Sequence, residues 1–407
     1  MPAPNPRLEE LPPFPFARLR ALLAEVEPAA GLEPLDLSIG EPRHEPPALV
    51  ASAIAAQAHL WNRYPPPAGT PGFCQSCRAW LGRRYRLPAD VLDPETAILP
   101  LAGTKEGLFM LPALLASLRR DGSRAAVLMP DPFYAVYLGA AVMGGFVPVP
   151  LPATGATGHL PDLDALRPEL LARTALFFLC SPANPQGAVA DEDYLARLYT
   201  LAREYDFLLV VDECYGEIYD RLPPPGALEV AVRIDPEVRN LLVFHSLSKR
   251  SSAPGLRSGF VAGDAALIAR FRHLRAYAAA VQPLPLMAAA EALWNDDEHV
   301  AANRARYRRK FDLAEELLAG RFGFTRPPGG FFLWLDVDNG VEAARILWRD
   351  AALRVLPGEY LSASSGPASP GHRYIRVAMV HDEETIRQAL ERLRHALEGA
   401  RLREAAR

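Results

Sequence analysis

The sequence predicts an α/β fold whose centre is a mostly parallel β-sheet covered by helices on both faces. Short apolar runs rich in β-branched residues recur between about Pro46 and Val281. Helical stretches lie between several of these runs, and such alternation is typical of a parallel sheet. Half of the residues are apolar and 23% are charged, which is the balance of a globular protein with a buried core.

Seven apolar runs are the predicted strands of this sheet. In chain order they are Ala97–Ala102, Ala125–Met129, Phe146–Val149, Ala175–Cys180, Phe207–Asp212, Leu241–Ser246 and Gly259–Ala262. Two connecting segments, Glu106–Arg119 and Asp191–Tyr205, have the apolar spacing of amphipathic helices. The pattern therefore predicts a larger domain over residues 46–290.

The rest of the chain predicts a smaller α+β domain made of residues 1–45 and 291–407. A long charged helix begins near Asp296 and continues to Leu318, and we interpret its charges, Lys310 included, as a solvated face. The other predicted elements are helices at Phe16–Val26, Val341–Ala352 and Glu383–Leu397, and strands at Phe331–Val337 and Tyr374–Met379.

Charge and hydropathy exclude several classes of partner. The formal net charge is −4, so the chain has no electrostatic footprint for nucleic acid or an anionic membrane. The first residues have neither the basic nor the apolar segment of a secretory signal, so the sequence predicts no secretion. The apolar runs of the chain are interrupted by charged residues, glycines and prolines, so none is predicted to span a membrane. We expect a cytoplasmic protein.

Two cysteines, Cys74 and Cys77, form a C-x-x-C motif that could indicate a redox pair or half of a zinc site. No second Cys or His pair stands at zinc-site spacing, and a thioredoxin-like context is missing. Buried thiols are the simpler interpretation, and we predict no metal site.

Lysine is scarce, since Lys105, Lys249 and Lys310 are the only three in the chain. Chemistry that needs a side-chain amine therefore has three candidates. Lys249 follows the predicted strand Leu241–Ser246 and precedes Arg257 by eight residues. Desolvation or neighbouring positive charge makes such an amine a nucleophile, and nearby hydroxyls and an Arg suit a phosphate dianion. A surface lysine at a strand end is the competing interpretation.

A carboxylate ends another predicted strand. Asp212 follows an apolar run, and polar groups at the carboxyl ends of parallel strands usually face a ligand crevice. An Asp there can pair with a protonated pyridine nitrogen, and Tyr215 can reach the phenolic oxygen of the same ring. A helix-capping Asp is the alternative interpretation.

Two loops complete the set of candidate residues. The segment Ser181-Pro182-Ala183-Asn184-Pro185-Gln186-Gly187 predicts a rigid turn with the amide of Asn184 at its centre. Gly103-Thr104-Lys105 lies between a strand and a helix, where backbone N–H groups can bind phosphate.

In order and spacing, these motifs resemble the fold-type I pyridoxal-phosphate enzymes, in particular the class I/II aminotransferases. The resemblance extends from Ile39-Gly40-Glu41-Pro42 to Arg376. It implies that Lys249 forms a Schiff base with pyridoxal 5′-phosphate, that Asp212 pairs with the pyridine nitrogen, and that Tyr215 and Asn184 bind the phenolic oxygen. The other implied positions are Gly103, Thr104, Lys105, Ser246 and Arg257 around the phosphate, Tyr134 stacked on the ring, Gly40 over the substrate, Arg376 on the α-carboxylate, and Tyr64 reaching the phosphate of the second subunit of a homodimer.

The activity implied by this resemblance is ping-pong transfer of an amino group between an amino acid and a 2-oxo acid. Lys249, once displaced by substrate, would move a proton between the substrate Cα and the cofactor. The stretch 247–264 is similar to the corresponding segment of N-succinyldiaminopimelate aminotransferases of bacterial lysine biosynthesis. It implies N-succinyl-LL-2,6-diaminopimelate as donor and 2-oxoglutarate as acceptor, with Arg43 a candidate for the far end of the substrate.

Other functions stay open at this point. An aspartate or broad-range aminotransferase would carry the same residues around the cofactor, and so would a C–S lyase on the same scaffold. The effector-binding domain of a transcription regulator normally follows a helix-turn-helix, and the short N-terminal segment here leaves no room for one.

Overall fold

The computed structural model describes residues 3–278 and 281–405, which form alternating helices and strands. The strands are β1 Leu35–Asp36, β2 Ile98–Leu101, β3 Ala126–Asp131, β4 Val147–Pro152, β5 Thr174–Cys180, β6 Leu208–Asp212, β7 Leu241–Ser246, β8 Gly259–Gly263, β9 Phe332–Asp336, β10 Leu353–Arg354, β11 Leu356–Pro357 and β12 Tyr374–Ala378. The α-helices are α1 Pro15–Leu23, α2 Leu49–Ala56, α3 Pro71–Tyr85, α4 Thr104–Met110, α5 Ala135–Met143, α6 Pro168–Leu171, α7 Glu192–Tyr205, α8 Ala227–Ile234, α9 Leu247–Arg250, α10 Ala265–Ala278, α11 Leu284–Asn295, α12 Glu298–Leu318, α13 Gly340–Ala351 and α14 Glu383–Ala405. In these ranges no helix has both the length and the apolar composition needed to cross a membrane.

The larger unit is built on a seven-stranded sheet with strand order β2-β8-β7-β6-β5-β3-β4. Strands β3 to β7 pair in parallel. Only β8 is reversed, because it pairs antiparallel with both β7 and β2. The predicted mostly parallel sheet is confirmed. Its parallel strands bring their carboxyl ends to one edge, where ligands bind in open α/β sheets.

Both faces of this sheet are buried, which explains why its strands are continuous apolar runs. Phe177 and Leu179 of β5 pack into the core on the side of α3, α7, α8 and α11. Leu176 and Phe178 of the same strand point into the opposite core, formed with α4, α5 and α10. Full burial of each such side chain stabilises the fold by roughly 1.5–3 kcal/mol, so the strand ends at the site are held on a rigid support.

The second unit is α+β. Its antiparallel sheet has the order β11-β12-β9, and α12, α13 and α14 share a core with it. The N-terminal segment joins this unit, because β1 pairs with β10 and Leu19 of α1 packs in a cluster with Trp348. The predicted boundaries at 46 and 290 stay a prediction. Position 290 lies inside α11, whose residues as far as Trp294 pack in the core of the larger unit.

Two predicted helices have different ends. Helix α4 covers only the first part of the predicted helix Glu106–Arg119, and a 3₁₀ turn at Leu111–Leu114 follows it. Pro112 has no N–H to donate within a longer α-helix, so the regular hydrogen bonding stops there. The last helix continues beyond its predicted end at Leu397 to Ala405.

The prediction that Lys310 belongs to a solvated face is wrong, because its side chain is completely buried. The buried positions of α12 include Asn303, Tyr307, Lys310 and Ala314. These residues are spaced three or four apart and therefore lie on one face of the helix. Lys310 thus lies on the buried face of α12, and its charge was the only reason to predict an exposed position.

Candidate active site

A cavity of about 460 Å³ opens at the carboxyl ends of β5, β6 and β7, between the large sheet and the second unit. Most of the predicted site residues line it, namely Gly40, Thr104, Lys105, Tyr134, Asn184, Asp212, Tyr215, Ser246, Lys249, Arg257 and Arg376. The chain thus brings together side chains that are more than 300 positions apart in sequence. Gly103, Tyr64 and Arg43 do not line the cavity, although Gly103 lies against the guanidinium of Arg257, which does.

Lys249 stands on the single-turn helix α9, directly after β7. Ser246 begins this turn, since its hydroxyl oxygen accepts a hydrogen bond of 3.1 Å from the backbone N–H of Ser248. The Lys249 amine donates to the carbonyl of Gly40 and lies 5.3 Å from the centre of the Phe331 ring. Burial lowers the pKa of this amine to about 8, so a larger neutral, nucleophilic fraction is present near neutral pH than for a free lysine.

Asp212 ends β6 and is buried at the cavity floor. The Tyr137 hydroxyl donates to its Oδ2 at 2.8 Å, and the backbone N–H of Cys214 donates to its Oδ1 at 3.2 Å. Burial raises the pKa of this carboxyl, and both hydrogen bonds oppose that shift. In the described ranges no Arg or Lys forms an ion pair with it. A protonated ring nitrogen would provide the missing cationic partner.

Arg376 lies on β12 and reaches the cavity from the second unit. Its guanidinium is buried, and it donates to Asn184 Oδ1 at 2.9 Å and to the Ser38 carbonyl at 2.6 Å. Its Nε has no partner within the described residues. Burial lowers the pKa of Arg376 to about 10, so the group is still a cation at neutral pH. A substrate carboxylate in the cavity fits this positive charge, which has no carboxylate partner in the described ranges.

Two hydroxyls and a guanidinium collect at the end of the cavity next to α4 and α9. Thr104, Ser246 and Arg257 line this end, whereas the amine of Lys105, which was also predicted to bind the phosphate, lies 5.3 Å from the centre of the Phe14 ring. Gly103 has φ +88°, and a Cβ on it would lie 2.1 Å from the Arg257 guanidinium. The glycine therefore makes the room that this guanidinium occupies. A guanidinium and two hydroxyls in one recess suit a phosphate dianion, so these residues fit the phosphate of the predicted cofactor.

The remaining predicted residues differ in how close they come to the cavity. Tyr134 and Tyr215 line it, and Tyr134 packs edge-to-face on Tyr137 at 5.7 Å between ring centres. A Cβ at Gly40 would lie 2.5 Å from the Phe332 ring, so only glycine allows the backbone so close. Tyr64 is fully exposed at the surface.

Several residues in or next to the cavity wall were not predicted. Tyr137 holds Asp212, and its position one helical turn after Tyr134 on α5 was a signal for it. Cys214 approaches the Thr104 hydroxyl at 3.2 Å. The apolar wall formed by Phe14, Pro15, Phe16 and Leu361 had no local signal, because these residues meet the site only after the N-terminal segment has packed onto the second unit.

A nucleophilic lysine, a buried carboxylate facing a ring site, and a cationic recess for phosphate define a pyridoxal-phosphate-dependent enzyme of fold type I. The chain belongs to the aminotransferase class I and II family, whose model matches residues 33–393. The predictions of enzyme class and cofactor are confirmed: the protein is an aminotransferase that uses pyridoxal 5′-phosphate. The roles of single residues stay predictions.

Comparison with individual proteins covers nearly the whole chain. An LL-diaminopimelate aminotransferase of Desulforudis audaxviator is 32% identical over 399 residues, which cover 96% of this chain and 97% of that one. The 4-dedimethylamino-4-oxo-anhydrotetracycline transaminase of Streptomyces rimosus is also 32% identical, over 95% of this chain and 100% of its own. A crystal structure of an aminotransferase from Neisseria meningitidis superimposes with a TM-score of 0.90 at 38% identity, over 96% of this chain and 99% of that one.

Proposed function

We propose that this aminotransferase moves the amino group of N-succinyl-LL-2,6-diaminopimelate to 2-oxoglutarate. The observation that carries an α-amino acid substrate is the buried guanidinium of Arg376. This cation lines the same cavity as Lys249 and forms no ion pair with a carboxylate in the described ranges. The diaminopimelate skeleton is supported by the relative of that name, which matches over almost its full length.

The cofactor would be held at both ends. Lys249 would bind it covalently, Asp212 would pair with the ring nitrogen, Tyr215 and Asn184 would bind the phenolic oxygen, and Tyr134 would stack on the ring. At the other end, Thr104, Ser246 and Arg257 would bind the phosphate. When bound, pyridoxal phosphate withdraws electrons from the substrate Cα and makes its proton removable.

Side chains of the protein bind the substrate and move its Cα proton. Arg376 binds the α-carboxylate and so fixes the substrate Cα relative to the Lys249 amine. That amine would accept the proton of the substrate Cα as general base and then donate it as general acid. Its lowered pKa suits both roles near neutral pH. The apolar wall of Phe14, Phe16 and Leu361 limits access of water to the reacting atoms.

The far end of the substrate distinguishes free from succinylated diaminopimelate. Free diaminopimelate ends in an ammonium next to a carboxylate, whereas the succinyl group replaces the ammonium with an amide and adds another carboxylate. Among the charged residues that line the cavity, Lys105 would favour the added carboxylate and Glu41 would favour the ammonium. The Lys105 amine lies 5.3 Å from the centre of the ring of Phe14, which also lines the cavity.

A donor screen tests the substrate. At matched concentrations, kcat/KM for N-succinyl-LL-2,6-diaminopimelate should exceed that for free LL-diaminopimelate, aspartate, alanine and aromatic donors by at least about tenfold, or about 1.4 kcal/mol. The assay follows formation of glutamate from 2-oxoglutarate. Preference for free LL-diaminopimelate would instead assign the chain the activity for which the Desulforudis relative is named. Preference for aspartate would contradict a diaminopimelate substrate altogether, and release of ammonia without an acceptor would indicate a lyase.

We also propose that the working unit is a symmetric homodimer in which Tyr64 reaches the phosphate site of the other subunit. Tyr64 is fully exposed and Trp61, three positions before it, is 55% exposed. Two large aromatic side chains left on one surface are consistent with a face that a second copy covers.

Mixed dimers test this arrangement. Lys249→Ala and Tyr64→Ala subunits should each be nearly inactive, but random exchange should restore about a quarter of the wild-type sites, because one site in each mixed dimer is then intact. Light scattering gives the oligomeric state and a transamination assay gives the recovery. A mixture of Lys249→Ala with Asp212→Asn is the matched control and should stay inactive, since both changes fall within one subunit's share of the site. Recovery in neither mixture would contradict a Tyr64 contribution across the interface.

A further inference from the structure

The buried amine of Lys310 joins two chain segments of the active site. It donates to Nε2 of His44 at 2.8 Å and to the carbonyl of Met379 at 2.9 Å. His44 stands four residues after Gly40, whose carbonyl receives the Lys249 amine. Met379 directly follows β12, the strand that carries Arg376. Both hydrogen-bond partners of Lys310 are thus a few residues from groups that face the substrate.

A second contact continues from His44 toward the catalytic helix. Its Nδ1 lies 3.1 Å from Asn303 Oδ1 on α12. The amide nitrogen of Asn303 donates to the backbone carbonyls of Lys249 and Arg250, each at 3.3 Å. Lys310, His44 and Asn303 therefore form one continuous chain of hydrogen bonds, called here the Lys310 chain, that ends on the backbone of Lys249.

Aromatic packing connects the same two places. The Lys310 amine lies 4.6 Å from the centre of the Tyr307 ring, and Tyr307 stacks on Phe331 with 5.3 Å between ring centres. The Lys249 amine lies 5.3 Å from the centre of that same Phe331 ring. Lys310 is thus connected to Lys249 by two routes, one through His44 and Asn303 and one through the rings of Tyr307 and Phe331.

The donor and acceptor roles in the Lys310 chain are consistent with one another. Because the Lys310 amine donates to Nε2, the proton of neutral His44 lies on Nδ1 and can be donated to Asn303 Oδ1. Burial lowers the pKa of His44 to about 4, which keeps this ring neutral near pH 7. The Ser252 hydroxyl donates to the same Asn303 oxygen at 3.2 Å. The amide of Asn303 is thereby fixed with its nitrogen toward α9.

A buried amine is costly, and its place here needs a reason. Burial lowers the pKa of Lys310 to about 7, and Asp382, Glu383, Arg306 and Arg309 are the charges around it. In the described ranges no carboxylate forms an ion pair with this amine. A methionine of similar length would fill the space without desolvating an amine. What the methionine would lack is the pair of hydrogen bonds to His44 and Met379.

We propose that Lys310 is a positioning residue that sets the orientation of Lys249 through His44 and Asn303. The proposal rests on the proposed catalytic role of Lys249. The amine of Lys310 anchors the segment after Gly40 to the end of β12, and Asn303 transmits that position to α9. Arg376, Lys249 and the segment after Gly40 are thereby held in fixed positions relative to one another.

The test compares Lys310→Met with Arg306→Met in the full-length holoenzyme. Arg306 is exposed on the same helix, so Arg306→Met replaces another basic side chain of α12 by methionine without breaking the Lys310 chain. In Lys310→Met, amide hydrogen exchange over 247–252 should quicken about tenfold and kcat should fall about tenfold. The pH at which the absorbance of the lysine-bound cofactor changes should also move. Arg306→Met should leave all three unchanged.

The variant His44→Phe keeps an aromatic ring and breaks the same chain, so it serves if Lys310→Met does not fold. It should reproduce the faster exchange over 247–252, and the double variant should be no worse than either single one, because both remove the same chain. If both single variants keep the wild-type rate of amide exchange over 247–252 and the wild-type kcat, Lys310 is only structural, whatever the melting temperature. If the effects of the two substitutions add up in the double variant, the proposal is overturned as well. The exchange measurement needs no turnover. It therefore tests the positioning role of Lys310 even if the proposed catalytic role of Lys249 is wrong.

Discussion

The Lys249→Ala variant should lose transamination by at least about 10⁴-fold, equivalent to about 5.5 kcal/mol in activation free energy. The reason is that, in the proposed mechanism, one amine both binds the cofactor covalently and transfers the proton at the substrate Cα. The phosphate recess of Thr104, Ser246 and Arg257 remains, so the variant should still bind the cofactor without a covalent bond. Single-turnover and steady-state rates with the preferred donor measure the loss.

The matched control for this variant is Lys249→Arg, which keeps the positive charge but lacks a nucleophilic amine. It should be as inactive as the alanine variant, whereas thermal unfolding of both should show an intact fold. Borohydride reduction of the wild-type holoenzyme followed by peptide mapping should attach the cofactor to the peptide that contains Lys249. The only other lysines are Lys105 and Lys310, so a label on either one would contradict the assignment unambiguously.

The Asp212→Asn variant should fold normally and lose about 10³-fold in kcat, which corresponds to about 4 kcal/mol. A carboxylate stabilises a proton on the ring nitrogen, and a neutral amide does not. Each unit by which the pKa of that nitrogen falls removes about 1.4 kcal/mol of differential stabilisation. Because Asp212 is buried at the end of β6 and has no cationic side-chain partner in the described ranges, solvent and neighbouring residues cannot replace its charge.

Tyr137→Phe is the control that keeps the carboxylate but removes its 2.8 Å hydrogen bond. Loss of one hydrogen bond to a charged group costs roughly 1.5–3 kcal/mol, so this variant should be clearly more active than Asp212→Asn. Absorbance of the bound cofactor, measured in parallel, reports whether the ring environment has changed. Wild-type turnover by Asp212→Asn would mean that the carboxylate does not act on the ring nitrogen.

The sequence was most informative about groups whose position follows from a single strand. Asp212 ends a buried strand and Lys249 follows another, so the geometry of a parallel sheet brings both to one edge whatever the rest of the chain does. The seven apolar runs predicted the large sheet for the same reason, because strands buried on both faces cannot tolerate polar residues. The family resemblance added Arg376 and a role for Asn184, and no local pattern indicates the contact between these two residues.

Helix ends and buried polar groups were less predictable. The periodicity of Glu106–Arg119 continued through Pro112, although the missing N–H of proline ends the regular helix there. Lys310 was assigned to the surface by its charge, yet it occupies the same helical face as Tyr307 and Ala314. The spacing was visible in the sequence, but the acceptors that make burial of an amine tolerable were not.

The sequence by itself thus determined the sheet, the lysine and the carboxylate, because each depends on residues close together in the chain. Only the tertiary structure decided that Tyr137 supports Asp212, that Phe14 and Leu361 wall the cavity, and that Lys310 meets His44 and Met379. These contacts join segments up to several hundred residues apart. Their partners are selected by packing of the second unit against the first, and packing depends on the shape of the whole molecule rather than on any local pattern.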